Sequence, residues 1–577
     1  MAGDRLSGTA EALVNPNPYA APQARHWKML DASTLQRDAT IECDVAIVGT
    51  GAGGGTAAEI LARSGLRVVM LEEGPLKTSS DFHMLEREAY PNLYQESAGR
   101  RTKDEGIIIL QGRSVGGSTT VNWTSSFRTP PATLAYWRER FGLDTFTPAA
   151  LAPWFAMMER RLGIHRWERE PNDNNDVLRR GAAHLGIPTA VIPRNVRGCY
   201  NLGYCGVGCP TNAKQSMLVT TIPAALAHGA QLVSRVRAER FVQKSGAVAE
   251  LECSALDSAG LRPGPYTLRV RARAFVAAGG AINTPALLLR SALPDPHRRI
   301  GARTFLHPTV ISAATMPEEV VASSGAPQSI YSDHFLKTQA IDGPIGFKLE
   351  VPPLHPVLTS STFTGLGEFA ASQMRNFNHL QAIIALMRDG FNEESVGGTV
   401  GLHGDGTPIL DYPISSYVWD GMRRALLTMA EIQFAAGART ALPLHESAVP
   451  YHSWAEARAA ISALPMEVLR TRVASAHVMG GSAMSKDERD GVVDQHGRSH
   501  ALEDLYVFDG SAFPTSLGAN PQLSIYGMVA RNASGLAASL TGRPAARLAE
   551  IDDDDAGSAM PNGRSALIAE SVTPTVL

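Results

Sequence analysis

Residues 47–74 read IVGTGAGGGTAAEILARSGLRVVMLEEG, and no other stretch restricts the fold as tightly. A short β-branched run, ECDVAIV at 42–48, ends in glycines. Residues 53–64 have helical periodicity, and LRVVMLEEG at 66–74 reads as a second strand. The pattern predicts the opening of a parallel βαβ unit. Within it, Gly49, Gly51 and Gly54 form G-x-G-x-x-G, a dinucleotide fingerprint only when strand and helix flank it, as here. Gly49 permits a tight turn, Gly51 lets the backbone approach a pyrophosphate, and Gly54 lets helix and strand pack closely. The phosphates then sit at the positive end of the helix. Glu72 closes the second strand, 23 residues after Gly49, where a carboxylate accepts from ribose hydroxyls. Strand alternation points Glu73 the other way. The turn alone does not separate NAD from FAD.

The rest of the chain is organised around that unit. Residues 1–40 read as an irregular arm. Helical periodicity returns near 152–163, 176–186 and 217–228, strand-like runs at 231–242, 249–254 and 267–277, and a helix at 281–290. Residues 41–315 are assigned to the first part of a nucleotide-binding domain, with an insert from a second domain near 150–195. That second domain is expected over 316–470 and contains a long helical segment near 416–436. The chain returns to the first domain over 471–545, and 546–577, with DDDDAGS and PNGRS, reads as a polar tail. A formal net charge of -3 argues against a nucleic-acid partner. No run resembles a membrane span, and the N-terminus lacks the basic and apolar regions of a secretory signal. Five sparse cysteines do not suggest a disulfide scaffold, so a cytoplasmic setting is expected.

Three further segments make the reading specific. They are GRSVGGSTTVNWTSSFR at 112–128, GAINTPALLLRS at 280–291 and LYVFDGSAFPTSLGANPQLSIYGMVAR at 505–531. Together with the glycine-rich turn they resemble the glucose–methanol–choline (GMC) oxidoreductases. One departure is Ala292, where the second signature usually closes on glycine. The resemblance implies an α/β composite fold: a Rossmann-like FAD-binding domain built from non-contiguous segments, and a discontinuous substrate domain on an antiparallel sheet flanked by helices. It implies that Gly117 and Ser118 pass close to the flavin and pyrophosphate, that Asn122 and Thr124 meet the ring edge, and that the backbone of Val236 meets adenine. Asp509 and Gly510 end a strand where a carboxylate binds the ribityl chain or a backbone amide near it. In some members the residue before the asparagine that matches Asn122 is a histidine bonded to the flavin. Here it is Val121, which has no nucleophile, so non-covalent FAD is expected.

SAHVMGG at 475–481 places His477 about forty residues before Asn520. The resemblance pairs these two over the flavin: neutral imidazole takes the hydroxyl proton of an alcohol while the flavin takes the hydride, and the asparagine amide holds the oxygen. Asn520 suits an N-cap and Pro521 the first helical position. With Gln522 they start a helix aimed at the flavin pyrimidine, where its positive end stabilises negative charge. The small residues around His477 fit a backbone running close to ligand. Cys199, Cys205 and Cys209 follow C-x5-C-x3-C. Such thiolates can hold zinc with a fourth ligand or an iron–sulfur cluster, but a tight loop of buried thiols without metal is favoured. His228, His307 and His355 read as structural, with His307 in FLHPT a candidate to lie near the pocket. The expected activity is oxidation of a hydrophobic or aromatic primary alcohol, with dioxygen or a redox carrier as acceptor. A sugar- or sterol-type secondary alcohol dehydrogenase, a hydroxynitrile-lyase-like enzyme and a non-catalytic flavin module compete with it.

Overall fold

The computed structural model describes residues 15–365 and 367–544; the expected polar tail and the first residues of the arm lie outside them. A six-stranded, wholly parallel sheet carries the nucleotide-binding half. Its order is Lys28–Asp31, Gln231–Ser234, Val68–Leu71, Val45–Val48, Ala274–Ala277 and Leu505–Val507. VVML and AFVA are buried throughout, which is why they read as continuous apolar runs. The helices Ala52–Arg63 and Gln522–Thr541 pack against one another on this sheet. The run 231–242 reads as one strand in the sequence. Arg235, at φ 52°, breaks it into two, and Val236–Lys244 joins a separate four-stranded sheet.

The arm is not irregular throughout. Lys28–Asp31 adds to the edge of the parallel sheet beside Gln231–Ser234, and Ala39–Glu42 pairs with Pro263–Arg271. A four-residue strand with an exposed-to-half-buried pattern leaves too short a periodicity to read from sequence.

The second half is a sheet of eight strands, among them Thr309–Thr315, Leu380–Met387 and Phe347–Glu350. It draws on Ile107–Ile109, Ala190–Val191 and Val473–Ser475 as well, so the domain reaches beyond 316–470 at both ends. Both its faces are covered. Val310, Ile383, Ala385 and Met387 share a core with Met422, Leu426 and Met429 of the helix Ser416–Ala435. Side chains of the alternate parity, Ile311, Ala313, Ala382, Ile384 and Leu386, face a cavity instead. The helix Asp173–His184 packs on Ser416–Ala435, whereas Pro148–Arg161 packs on Gln522–Thr541; the segment between 148 and 195 is thus shared by the two halves. Among the described residues no helix is long and apolar enough to cross a membrane.

Candidate active site

The two halves enclose a cavity of about 680 Å³. One end is the glycine-rich turn. Gly49 is left-handed at φ 96°, and a Cβ there would overlap the Ala278 carbonyl. A Cβ on Gly51 would meet only Gly117, 3.9 Å away, so this face of the turn is open to the cavity. A Cβ on Gly54 would overlap the Gly49 carbonyl oxygen. The three glycines therefore do the three separate tasks their spacing suggests. Gly54 is consequently absent from the lining. Gly49, Gly51, Glu72, Gly117, Ser118, Asn122, Thr124, Val236, Asp509, Gly510, Pro521, Gln522, His477 and Asn520 all belong to it.

Several of these side chains are tied down by the protein itself. Glu72 Oε2 accepts from the Thr50 amide at 3.1 Å and the Thr50 hydroxyl at 2.6 Å, and Oε1 accepts from the Gly74 amide at 2.8 Å. Burial raises its carboxyl above the usual range, against the pull of these donors. Glu73 borders the cavity too, but pairs with Arg113. Asp509 accepts from the Gly280 and Ser511 amides, both at 2.8 Å, and from the Thr284 hydroxyl at 2.6 Å. Ser118 Oγ accepts from the Gly112 amide. Asn122 donates to Gln522 Oε1 at 2.7 Å, and Gln522 Nε2 donates to the Ser125 carbonyl at 2.8 Å. Thr124, left-handed at φ 72°, gives its hydroxyl to the Trp123 carbonyl and receives Arg194 Nε at 2.8 Å.

His477 lies between two short strands with different partners. Val473–Ser475 belongs to the large sheet and Val478–Gly480 pairs with Thr304–Leu306. Gly480 and Gly481 are both left-handed and pressed against Arg303 and Thr304. These two are small because of that contact, whereas Ser475 and Ala476, on the other side of His477, do border the cavity. The helix start also differs. Pro521, not Asn520, is the cap residue of Gln522–Thr541, and the Asn520 carboxamide turns away to Lys348 and Glu350. The long helix nonetheless presents its N-terminal residues Pro521, Gln522 and Ile525 to the cavity, with the positive end of its dipole.

His307 does not line the cavity but touches His477 directly. Its Nδ1 is 2.9 Å from His477 Nδ1, and its Nε2 accepts from the Gly518 amide at 3.1 Å. One proton is shared between the two rings. Because an amide can only donate, His307 carries its own proton on Nδ1 in this arrangement, and the His477 proton is on Nε2. Burial pushes His477 down to about 4, with Glu350 opposing and Lys348 adding to the shift. His307 is held well below its ordinary value by burial, then by His477 and Lys348. Both imidazoles are therefore neutral at neutral pH. The other two histidines behave as expected: His228 is exposed against the Ala224 carbonyl, and His355 is buried and stacked on Tyr204.

The cysteine loop lies behind the Gly-Ser segment. Cys199, Cys205 and Cys209 border a second, much smaller pocket with Arg194 and Lys214. Lys214 Nζ donates to the carbonyls of Asn122 at 3.0 Å and Cys205 at 2.7 Å, so the loop braces the cavity wall. Burial raises the Cys205 thiol, although Arg194 and Lys214 pull it down. Among the described residues no group of three or more His, Cys, Asp and Glu side chains is placed to hold a metal ion.

Known proteins resemble this chain in sequence and in fold. The N-terminal GMC oxidoreductase family model matches residues 90–309 and the C-terminal one residues 394–529. An uncharacterized GMC-type oxidoreductase of Mycobacterium tuberculosis is 32% identical over 522 residues, covering 90% of this chain and 79% of that protein. The long-chain-alcohol oxidase FAO3 of Arabidopsis thaliana is 29% identical over 84% of this chain, which spans 66% of that protein's length. Among solved structures, pyridoxine 4-oxidase of Mesorbium loti superposes with a TM-score of 0.63 at 19% identity, covering 85% of this chain and 98% of its own. A single-residue variant of Aspergillus oryzae formate oxidase gives 0.65 at 16% identity, covering 88% and 100%. The motifs, the two-part fold and the 32% relative lead to one assignment: the chain belongs to the GMC oxidoreductase family.

Proposed function

We propose that this chain is an FAD-dependent oxidoreductase that converts hydrophobic primary alcohols to aldehydes. The observation that carries the reading is that His477 and Asn520, far apart in sequence, border one cavity that runs from a dinucleotide cradle to an apolar sheet face. The cradle fits FAD by its donors and its clearance. Gly51 leaves the turn open, the N-termini of the helices Ala52–Arg63, Gly280–Arg290 and Gln522–Thr541 meet the cavity, and Glu72 Oε1, with one protein donor, keeps a lone pair for a ribose hydroxyl. When bound, FAD supplies the hydride acceptor. Val121 offers no nucleophile for a covalent link.

At the other end, Ile311, Ala382, Ile384, Leu386, Leu358 and Phe363 offer an aliphatic tail a dry wall. A hydroxyl at the head of such a tail meets the polar pair: Asn520 donates to the hydroxyl oxygen and His477 handles its proton. For His477 to take that proton on Nε2, its own proton must move to Nδ1, facing an unprotonated His307 Nδ1. His307 then carries its proton on Nε2, facing the buried Gly518 amide, which loses its acceptor at a cost of about 1–3 kcal/mol. The basic form thus lies within reach of the resting one, and His307 belongs to the proton machinery. The long-chain-alcohol oxidase relative supports the choice of an aliphatic substrate.

A panel of alcohols scored for both peroxide and reduction of an artificial dye tests the proposal. Long primary alcohols should give aldehyde, with peroxide if dioxygen is the acceptor and dye reduction if a carrier is. Turnover confined to sugars or sterols would transfer the chain to the secondary-alcohol reading. The pH dependence follows from the buried imidazole. His477 is active when neutral and its folded value is lowered from 6.5 to about 4, so the rate should hold at mildly acidic pH and fall as pH drops through about 4. A limb near 6.5 would mean a solvated histidine with the ordinary value. Stability contributed by the neutral ring is full above 6.5 and is lost as pH falls toward about 4.

A further inference from the structure

A buried ion pair stands directly behind Asn520. Lys348 and Glu350 lie two apart on the strand Phe347–Glu350, so both point to the cavity side, beside Leu386 and Ile384 of the neighbouring strand. Lys348 is 3% exposed and Glu350 0%, and their charges are 2.9 Å apart. Lys348 Nζ donates to Asn520 Oδ1 at 2.9 Å, while Asn520 Nδ2 donates to Glu350 Oε2 at 3.1 Å. Gln328 Nε2 donates to the same Oε2 at 2.8 Å, and Ser125 Oγ to Gln328 Oε1 at 2.6 Å. Lys348 is further caged by the Phe127 ring, 3.2 Å to its centroid, and the Tyr331 ring at 4.6 Å. Two full charges at the wall of an apolar cavity are costly to bury, and the packing alone does not need them.

We infer that Lys348 and Glu350 are positioning residues that lock the Asn520 carboxamide in one orientation, with its second N–H bond directed at the substrate oxygen; this rests on the alcohol reading above. The chemistry leaves one solution. An ammonium can only donate, so the amide oxygen must face Lys348; a carboxylate can only accept, so the amide nitrogen must face Glu350. The flip that would turn the amide oxygen toward the substrate is excluded on both sides at once. One N–H is consumed by Glu350 and the other is left for the hydroxyl. As that oxygen gains negative charge on losing its proton, a donor already in place needs no reorganisation. The Lys348 charge, transmitted through the amide oxygen, makes that N–H a stronger donor.

The test compares wild-type holoenzyme with the neutral pair Lys348→Met/Glu350→Gln and with Glu350→Gln alone. Readouts are the melting temperature, flavin content, binding of trifluoroethanol as an unreactive alcohol, and flavin reduction resolved into apparent affinity and limiting rate across pH. The double variant removes both charges at nearly constant volume. It should fold, hold FAD, bind trifluoroethanol more weakly and lose about tenfold to a hundredfold in limiting rate. In Glu350→Gln, Lys348 loses the carboxylate that holds its proton against burial; Asp333 and the Tyr331 ring remain nearby, and His477 and His307 face it across the site. The reduction rate should then acquire a descending limb as pH rises, absent from wild type, because neutral Lys348 no longer commands the amide oxygen. Folded variants with wild-type rate, binding and pH profile would overturn the inference. So would failure of both to fold, which would make the pair a scaffold for the strand. A wild type that no alcohol reduces overturns the functional reading itself; reduced wild type with unaltered variants overturns this inference alone.

Discussion

His477→Ala should slow reduction of the flavin by a primary alcohol by about 10²–10⁴-fold, the usual worth of general-base assistance, while melting close to wild type. The ring is half-buried, with its open side on the cavity. Its side-chain partner is His307, so removing it leaves a small space and one imidazole nitrogen to be met by water. A structural histidine would give the reverse pattern: a lowered melting temperature and an unchanged reduction rate in the surviving enzyme. Asn520→Ala should cost less in chemistry. It removes no helix cap, because Pro521 holds that position, but it strips Lys348 and Glu350 of a shared partner. It should therefore lower the melting temperature more than His477→Ala does.

Glu72→Arg should leave the protein without FAD. Wild type, with Val121 beside Asn122, should release its yellow colour into the supernatant on acid precipitation. The guanidinium introduced by the substitution would add bulk at the cradle and take the acceptor from the Thr50 and Gly74 amides as well as from the ribose. Glu72→Gln is the gentler probe. It keeps the volume but loses the charge and turns an NH₂ toward one of two amide donors. Its affinity for FAD should fall by about 1.5–3 kcal/mol, roughly ten- to a hundredfold. Flavin titration of the apoprotein measures this, and unchanged affinity in Glu72→Gln would point to another ribose acceptor, with Glu73 the first candidate on the cavity wall.

What was legible in the sequence was what chemistry fixes locally. Gly49 is left-handed at the turn and Gly54 must clear the Gly49 carbonyl, and a fingerprint of that kind survives without knowledge of the rest. His477 and Asn520 were legible as members of motifs, although their environment was not. Asn520–Pro521 has the composition of a helix start, and only the fold reveals that the amide has another partner. In GFKLE, at 346–350, the alternation of the strand puts Lys348 and Glu350 on one face. In the structure the face bearing Lys348 and Glu350 is turned to the cavity, because the partner strand Leu380–Met387 is buried on both sides. Alternation tells which residues share a face, not whether water lies beyond it. His307 was ambiguous for the same reason: its role depends on a 2.9 Å contact with a residue 170 positions away.

The central claim is that His477 and Asn520 serve redox chemistry on an alcohol. Its most direct test is anaerobic rapid mixing of the purified flavoprotein with a long-chain primary alcohol, following the flavin absorbance and the aldehyde together. The flavin should bleach in a single turnover and release stoichiometric aldehyde, with the bleaching rate collapsing in His477→Ala. A flavin that stays oxidised under excess alcohol, in protein that is folded and fully loaded, would contradict the claim. Release of aldehyde from a cyanohydrin without any bleaching would assign the same histidine to lyase chemistry instead.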